Sequence, residues 1–307
     1  MDNVYILNIF LIFSLLLIIS LFSSYYMKLS RFTTRLEKNL EYGCDDIKRL
    51  EYTDIDGTND NNIVLYIVDK IYESVNDNKD INILIESSNL NIKTKILDKD
   101  DTLFGLHLTK SGKDYIIFRG SYTNSDWVDI DIDVEQTKYD NTSCVHSGFY
   151  RRFKEIKPQL TSVTSGTLVI GGHSLGSPIA IFTALHYKNE ANVTINTNVF
   201  ALPRMGNKDF SDNHITTSFN NNNTNHTLSI YHNEADIIPQ LPFTSTLNFD
   251  DKTSPFIYVN FNKIFYHDFY DARKYICTNH ATKTYFDNLK EAIPRAYTTN
   301  TTNIKCS

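Results

Sequence analysis

The run Thr167-Leu168-Val169-Ile170-Gly171-Gly172-His173-Ser174-Leu175-Gly176-Ser177-Pro178-Ile179-Ala180 constrains this chain more than any other stretch. Its β-branched first part reads as a buried strand, and the stretch from Ile179 to Tyr187 reads as a helix. A G-x-S-x-G turn joins them. A serine at such a corner projects its Oγ clear of the backbone, and Gly172 and Gly176 let the neighbouring chain pass at close range.

This strand–turn–helix arrangement is the nucleophile elbow of α/β-hydrolases, which names a reaction class, a nucleophile and half of an oxyanion hole. A serine hydroxyl needs a base to take its proton, and an imidazole serves only when an acid fixes its tautomer. The elbow therefore predicts an Asp or Glu and then a His, in that chain order. The acid candidate is Asp236, which follows a strand-like stretch and precedes the proline-punctuated turn Ile237-Ile238-Pro239-Gln240-Leu241-Pro242; Glu234 is the fallback. Downstream of it only His267, in the aromatic stretch 265–270, and His280, ahead of a C-terminal helix, remain as bases. Local pattern does not separate these two.

The chain resembles the class 3 lipases, the family of fungal triacylglycerol lipases and their plant and animal relatives. Five segments match in the family's order: Ile117-Phe118-Arg119-Gly120-Ser121, Val145-His146-Ser147-Gly148-Phe149, Gly172 to Gly176, Leu202 to Asn207, and Asp236 to Pro242. A sixth, His280 followed by Tyr285, resembles the family's histidine segment. The resemblance implies Ser174 as nucleophile, Asp236 as orienting acid and His280 as general base. It also implies an oxyanion hole made by the backbone N–H groups of Ser121 and Leu175, with the Ser121 hydroxyl helping to anchor it. Leu175 agrees with the residue reading, because the residue after the nucleophile donates its amide from the helix start. Arg119, His146, His173, Pro203, Arg204, Gly206 and Asn207 read as structural. Serine at 177 replaces a glycine that many relatives carry, and Pro178 falls in the first helical turn, where a missing N–H costs little.

Tyr122 to Val128, which holds the only tryptophan, Trp127, resembles the fungal lid segment; a surface loop with one buried Trp is the plainer reading. Val128, Ile130, Ile132 and Val134 then alternate with acidic residues, the pattern of a half-buried strand with a solvated face. The chemistry needs neither a metal nor a cofactor.

At 307 residues with 41% hydrophobic content, the chain can hold one α/β-hydrolase core with extras. A net charge of −6 without any Lys/Arg cluster speaks against nucleic-acid binding. Val4 to Phe22 is a 19-residue apolar run, long enough to span a bilayer, with neither a basic region before it nor a good cleavage site. An uncleaved anchor is thus favoured over a signal peptide. Lys28, Arg31, Arg35 and Lys38 after it favour a cytoplasmic domain by the positive-inside rule. Sequons at Asn141, Asn192, Asn222, Asn225 and Asn300 point instead to the secretory side, the location preferred here. So do the four cysteines, where Cys44 with Cys306 could staple the ends as in secreted fungal relatives, leaving Cys144 to pair with Cys277.

Helices are expected over 29–50 and 63–75, and strands over 93–97, 103–108, 115–118 and 197–201. Strands alternating with helices imply an α/β fold, a mostly parallel central sheet covered on both faces. The expected organisation is an anchor or signal over 1–25, a helix and linker over 26–62, a lipase domain over 63–295 and a tail over 296–307. The expected function is a serine esterase acting on acylglycerols at a membrane or lipid-droplet surface. A phospholipase A1-type activity, an acyltransferase using the same acyl-enzyme, and a catalytically silent hydrolase-fold binding protein are the alternatives.

Overall fold

A computed structural model of the chain describes residues 49–51, 59–121, 135–188, 193–219, 225–242, 261, 265–271 and 276–294. The apolar segment 4–22, the helix expected over 29–50, the lid candidate with Trp127 and the alternating strand after it lie outside these residues, apart from residues 49 and 50. Nearly all described residues belong to one compact unit, 48–273 with 279–307.

Eight strands form the central sheet: β1 (Asn91–Leu97), β2 (Leu103–Lys110), β3 (Lys113–Phe118), β6 (Thr167–His173), β7 (Thr194–Phe200), β8 (His226–Asn233), β9 (Tyr266–Phe269) and β10 (Ile293–Pro294). They lie side by side in that same order. The five strands from β3 to β9 run parallel, and the outer pairs are antiparallel. A small antiparallel ribbon, β4 (Gln136–Lys138) with β5 (Cys144–His146), stands apart.

The apolar run of each central strand is continuous because both faces are covered. On β3, Ile116 and Phe118 enter one core while Tyr115 and Ile117 enter the other; on β6, Leu168 and Ile170 oppose Val169 in the same way. The second face is covered by helix α1 (Asp60–Asp77), through Val64, Val68 and Ile71. Helices α2 (Ser147–Ile156) and α3 (Gly176–Tyr187) cover the first face through Phe149, Phe153, Ile179 and Phe182. Near the C-terminus follow the short helices α4 (Ile276–His280) and α5 (Thr282–Asp287), and Tyr285 of α5 joins the second core. Helix α1 starts where Asn59 Oδ1 accepts the Asn61 amide at 2.9 Å and stops at Asn78, whose φ of 51° ends the helix in a left-handed turn.

The observed strands agree with those expected to within a few residues, and α1 runs over 60–77 where the sequence predicts a helix over 63–75. Parallel register has a functional consequence. The chain leaves β3, β6, β7 and β8 at one edge of the sheet, so residues after these strands converge there.

Candidate active site

Ser174 follows β6 directly and has φ 55°, a left-handed conformation that a non-glycine residue holds only where its surroundings enforce it. The enforcement is steric and local. A Cβ on Gly172 would sit 2.2 Å from the Gly176 carbonyl oxygen, and one on Gly176 would sit 2.5 Å from the carbonyl oxygens of Phe118 and Arg119. The turn can therefore close only with glycine at both positions. The Ser174 amide donates to Phe200 O at 3.0 Å, and Ser177 N–H donates back to Ser174 O at 2.9 Å. Ser177 Oγ lies 2.7 Å from Phe200 O and 3.0 Å from Gly172 O, so the serine that replaces the family's glycine pins β6 to β7. Leu175 caps α3, where the first amides of a helix lack intrahelical partners and face the site.

Asp236 lies three residues beyond β8 and is fully buried. Its Oδ2 accepts from His280 Nδ1 at 2.7 Å and from the Tyr285 hydroxyl at 2.8 Å, while its Oδ1 accepts the Ile238 amide at 3.0 Å. Burial alone would raise its pKa. The His280 charge and hydrogen bond, the Ile238 amide and the Tyr285 hydroxyl outweigh it, holding the carboxyl below its ordinary range. Asp236 is thus an anion that fixes Nδ1 of His280 as the protonated nitrogen, leaving Nε2 as the basic one. Tyr285 bears the opposite effect: burial first, then the Asp236 charge, pushes its phenol well above its usual value, so it remains a donor.

His280 closes α4, and its ring centroid lies 4.6 Å from that of His173, the residue before Ser174. Among the described residues Ser174 Oγ makes no hydrogen bond. Such links commonly tighten only when substrate binds. His267, the other base left open by local pattern, lies within β9 and stacks on Tyr231 at 4.9 Å. It belongs to the sheet and makes no hydrogen bond to Asp236. Glu234 enters the turn after β8, its amide donating to Phe269 O at 2.9 Å.

Gly120 is packed against Ser174: a Cβ there would lie 2.6 Å from Ser174 Cβ. Ser121 is the next residue, and the chain after it leaves the described structure. Arg119 is fully buried and ties strand ends through Leu103 O at 2.8 Å, Gly120 O at 2.7 Å and Asp98 Oδ2 at 3.1 Å. His146 caps α2, accepting the Phe149 amide at 3.4 Å and stacking on its ring. Asn207 bridges Cys144 N–H and Phe210 N–H with one oxygen, and Arg204 donates to Pro242 O at 3.0 Å. These residues hold the loops around the site. Cys144 is disulfide-bonded; the side chains of Cys44, Cys277 and Cys306 lie outside those described.

A small, partly open cleft lies beside Ser174 and Leu175, walled by Phe149, Pro203, Ile238, Leu241 and Pro242. Apart from the serine its walls are apolar. Among the described residues no group of three or more His, Cys, Asp or Glu side chains is placed to hold a metal ion.

Residues 115–246, which carry the elbow, Asp236 and the cleft, match the family described as Lipase (class 3). The matched segment is that of a class 3 lipase. The protein is accordingly a carboxylic ester hydrolase. No curated protein matches the chain significantly. Among solved structures, the Rhizomucor miehei lipase in its propeptide complex is 19% identical, with a TM-score of 0.51, covering 68% of this chain and 66% of that one. The triacylglyceride lipase of Rhizomucor miehei is 19% identical at a TM-score of 0.46, over 67% of this chain and 78% of its own. A lipase from Rhizopus microsporus var. chinensis is 16% identical at 0.45, over 72% and 81%. At 19% identity the likeness to the propeptide complex bears on the fold alone, an α/β-hydrolase fold.

Sequence reasoning misses three contributors around the elbow. Tyr285 stands in the sequence only as part of a matching segment, without a task. Asn233, fully buried at the end of β8, binds the main chain of Asp271 and Asn279 at 3.0–3.1 Å and so places the His280 loop. Tyr72 sits on α1, some hundred residues before the elbow, and touches it through His173. Buried polar residues on helix and strand ends are the available signal, and such residues are too common to stand out.

Proposed function

We propose that the protein hydrolyses carboxylic esters of lipids through an acyl-enzyme on Ser174. The single observation that supports this best is the buried Asp236 carboxylate, 2.7 Å from His280 Nδ1, on the same sheet edge as the strained Ser174.

In this reading Ser174 Oγ attacks the ester carbonyl carbon while its proton passes to His280 Nε2. The carbonyl oxygen becomes an oxyanion held by the N–H groups of Leu175 and Ser121. Collapse breaks the bond to the alkoxy oxygen, which takes the proton from His280 and leaves as the alcohol. Water then gives a proton to His280, attacks the acyl carbon and releases the fatty acid with Ser174 restored. Asp236 stabilises the imidazolium in both halves of the cycle without itself taking a proton.

The apolar walls of the cleft suit an acyl chain far better than a polar group, since each buried methylene gains about 0.8 kcal/mol. Acylglycerols are the proposed substrates, with phospholipid sn-1 esters as the next class. The apolar segment 4–22 would hold the enzyme at a membrane surface on the secretory side, concentrating it with its substrate. Among the described residues no helix is long and apolar enough to cross a membrane, and segment 4–22 lies outside them. Two of the sequons, at Asn141 and Asn225, fall on described residues, and both are exposed.

The test is fatty-acid release by the full chain from emulsified triacylglycerol and from phosphatidylcholine vesicles. Release from triacylglycerol at the higher rate supports the reading. Release from vesicles alone, limited to the sn-1 chain, replaces triacylglycerol by phospholipid, and no release from either contradicts the proposal.

A further inference from the structure

Tyr72 and His173 play no part in the chemistry just described, yet they stand between its two halves. Tyr72 Oη accepts the Gly120 amide at 2.8 Å and lies 3.4 Å from His173 Nδ1. His173 Nε2 lies 2.7 Å from the main-chain oxygen of His280. That oxygen can only accept, so Nε2 carries a hydrogen. Burial first, and then the nearby His280, push the His173 pKa down to about 3, so the ring is neutral and Nδ1 is bare. The Tyr72 hydroxyl hydrogen then points to Nδ1. The hydrogen bonds then run from Gly120 N–H to Tyr72 Oη, from Tyr72 O–H to His173 Nδ1, and from His173 Nε2–H to His280 O.

We propose that Tyr72 and His173 are positioning residues, a hydrogen-bonded strut that sets the oxyanion strand and the base at fixed separation from Ser174. The inference rests on the reading of Ser174 and His280 as nucleophile and base. One end of the strut fixes Gly120, whose missing Cβ admits both Tyr72 Oη, 2.4 Å from where it would stand, and Ser174 Cβ, at 2.6 Å. The backbone so fixed leads directly into Ser121 and its amide. The other end fixes His280 at its main chain, while Asp236 fixes it at Nδ1. Two points of attachment determine where Nε2 aims; one would let the ring swing about the Nδ1 bond. A neutral imidazole suits the middle position because a permanent cation beside His280 would oppose the imidazolium that catalysis forms. Because the strut fixes direction without touching the ester, its loss should reduce turnover and spare substrate binding.

The experiment compares the full-length wild type with Tyr72→Phe, His173→Leu and His173→Gln on a short, water-soluble nitrophenyl ester, with fluorophosphonate labelling in parallel and rates expressed per folded molecule by circular dichroism. In His173→Gln an amide nitrogen placed near the former Nε2 position can still donate to the His280 oxygen, whereas the leucine side chain has no donor. The expected result is kcat lowered about tenfold or more in Tyr72→Phe and His173→Leu, KM within roughly twofold, and most of kcat retained in His173→Gln. Wild-type kcat in Tyr72→Phe, or equal kcat in the Leu and Gln variants, overturns the strut. A wild type that neither turns over ester nor takes the label overturns the hydrolase reading itself, a different and recognisable failure.

Discussion

Two histidine–aspartate pairs lie at opposite ends of strands β3 and β6, with nearly the same dimensions. At one end, Asp236 holds His280 at 2.7 Å. At the other, Asp114 near the start of β3 holds His107 Nε2 at 2.7 Å, and His107 Nδ1 lies 2.7 Å from the Thr161 hydroxyl. Taken as a constellation of residue types, the second is a hydroxyl, an imidazole and a carboxylate in sequence, with its carboxylate fully buried. What separates the two is everything around them. Ser174 stands on a strained corner beside a helix start and an apolar cleft, whereas Thr161 lies exposed on a loop after α2. Asp114 is also clamped by Lys93 at 2.5 Å and by the amides of Thr164 and Ser165 at 3.1 and 2.8 Å. Burial opposes its ionisation, but these partners prevail and hold its carboxyl far below the ordinary range. A carboxylate so occupied ties strands and a loop together. The contrast teaches that a triad is made by the elbow, the helix amides and the cleft; a hydroxyl on a His–Asp pair is only part of one.

The largest expected difference between the two ends is in activity. Ser174→Ala should lower kcat by about 10⁴-fold or more with folding intact, while Thr161→Val should leave kcat within about threefold, both read on a soluble ester. His280→Ala should behave like Ser174→Ala, whereas His107→Ala and His267→Ala should retain most activity. If His267→Ala were dead and His280→Ala active, the base would be misassigned. Next comes the acid. Asp236→Asn should cost about 10³–10⁴-fold in kcat by favouring the wrong tautomer of His280. Asp114→Asn should instead spare kcat and destabilise the fold by roughly 3 kcal/mol, seen as a lower denaturation midpoint, because Lys93 loses its buried partner. Tyr285→Phe should fall between, lowering kcat about tenfold by removing one of three donors to Asp236.

The smallest effect is in pH dependence, and it joins the two ends. Burial depresses the pKa of both His173 and His107, the latter against the pull of Asp114. In the unfolded chain both titrate near about 6.5. As pH falls below that value the unfolded state takes up protons that the folded state refuses, so stability falls, and for His173 the loss levels off only near about 3. His173→Gln should therefore flatten the acid side of the stability curve by up to about 1.4 kcal/mol per pH unit. A curve unchanged below pH 6 in that variant would show that His173 is not held neutral.

Much of the site is legible in the sequence because the elbow is a local device. Gly172, Ser174 and Gly176 lie close together in the chain, and the apolar runs around them allow few structures other than a buried strand and helix. Asp236, the proposed acid, is indicated by chain order and by the resemblance, not by its own context, which is an ordinary turn-forming one. Pattern does not separate His280 from His267, because what distinguishes them is a contact to Asp236 forty-four residues earlier in the sequence. Tyr72 is hidden for the same reason: on α1 it follows core-forming residues at helical spacing, and nothing local marks its hydroxyl as reaching Gly120 and His173. The His107–Asp114 pair leaves no sequence signature because its members lie on neighbouring antiparallel strands, where register alone brings them together.

The most direct measurement of the central claim is mass-spectrometric mapping of a fluorophosphonate adduct on the folded full-length chain. The account predicts one adduct, on Ser174, that is lost in Ser174→Ala and slowed strongly in His280→Ala but unchanged in His107→Ala. An adduct on Thr161, or a folded protein that leaves Ser174 unmodified, would contradict it.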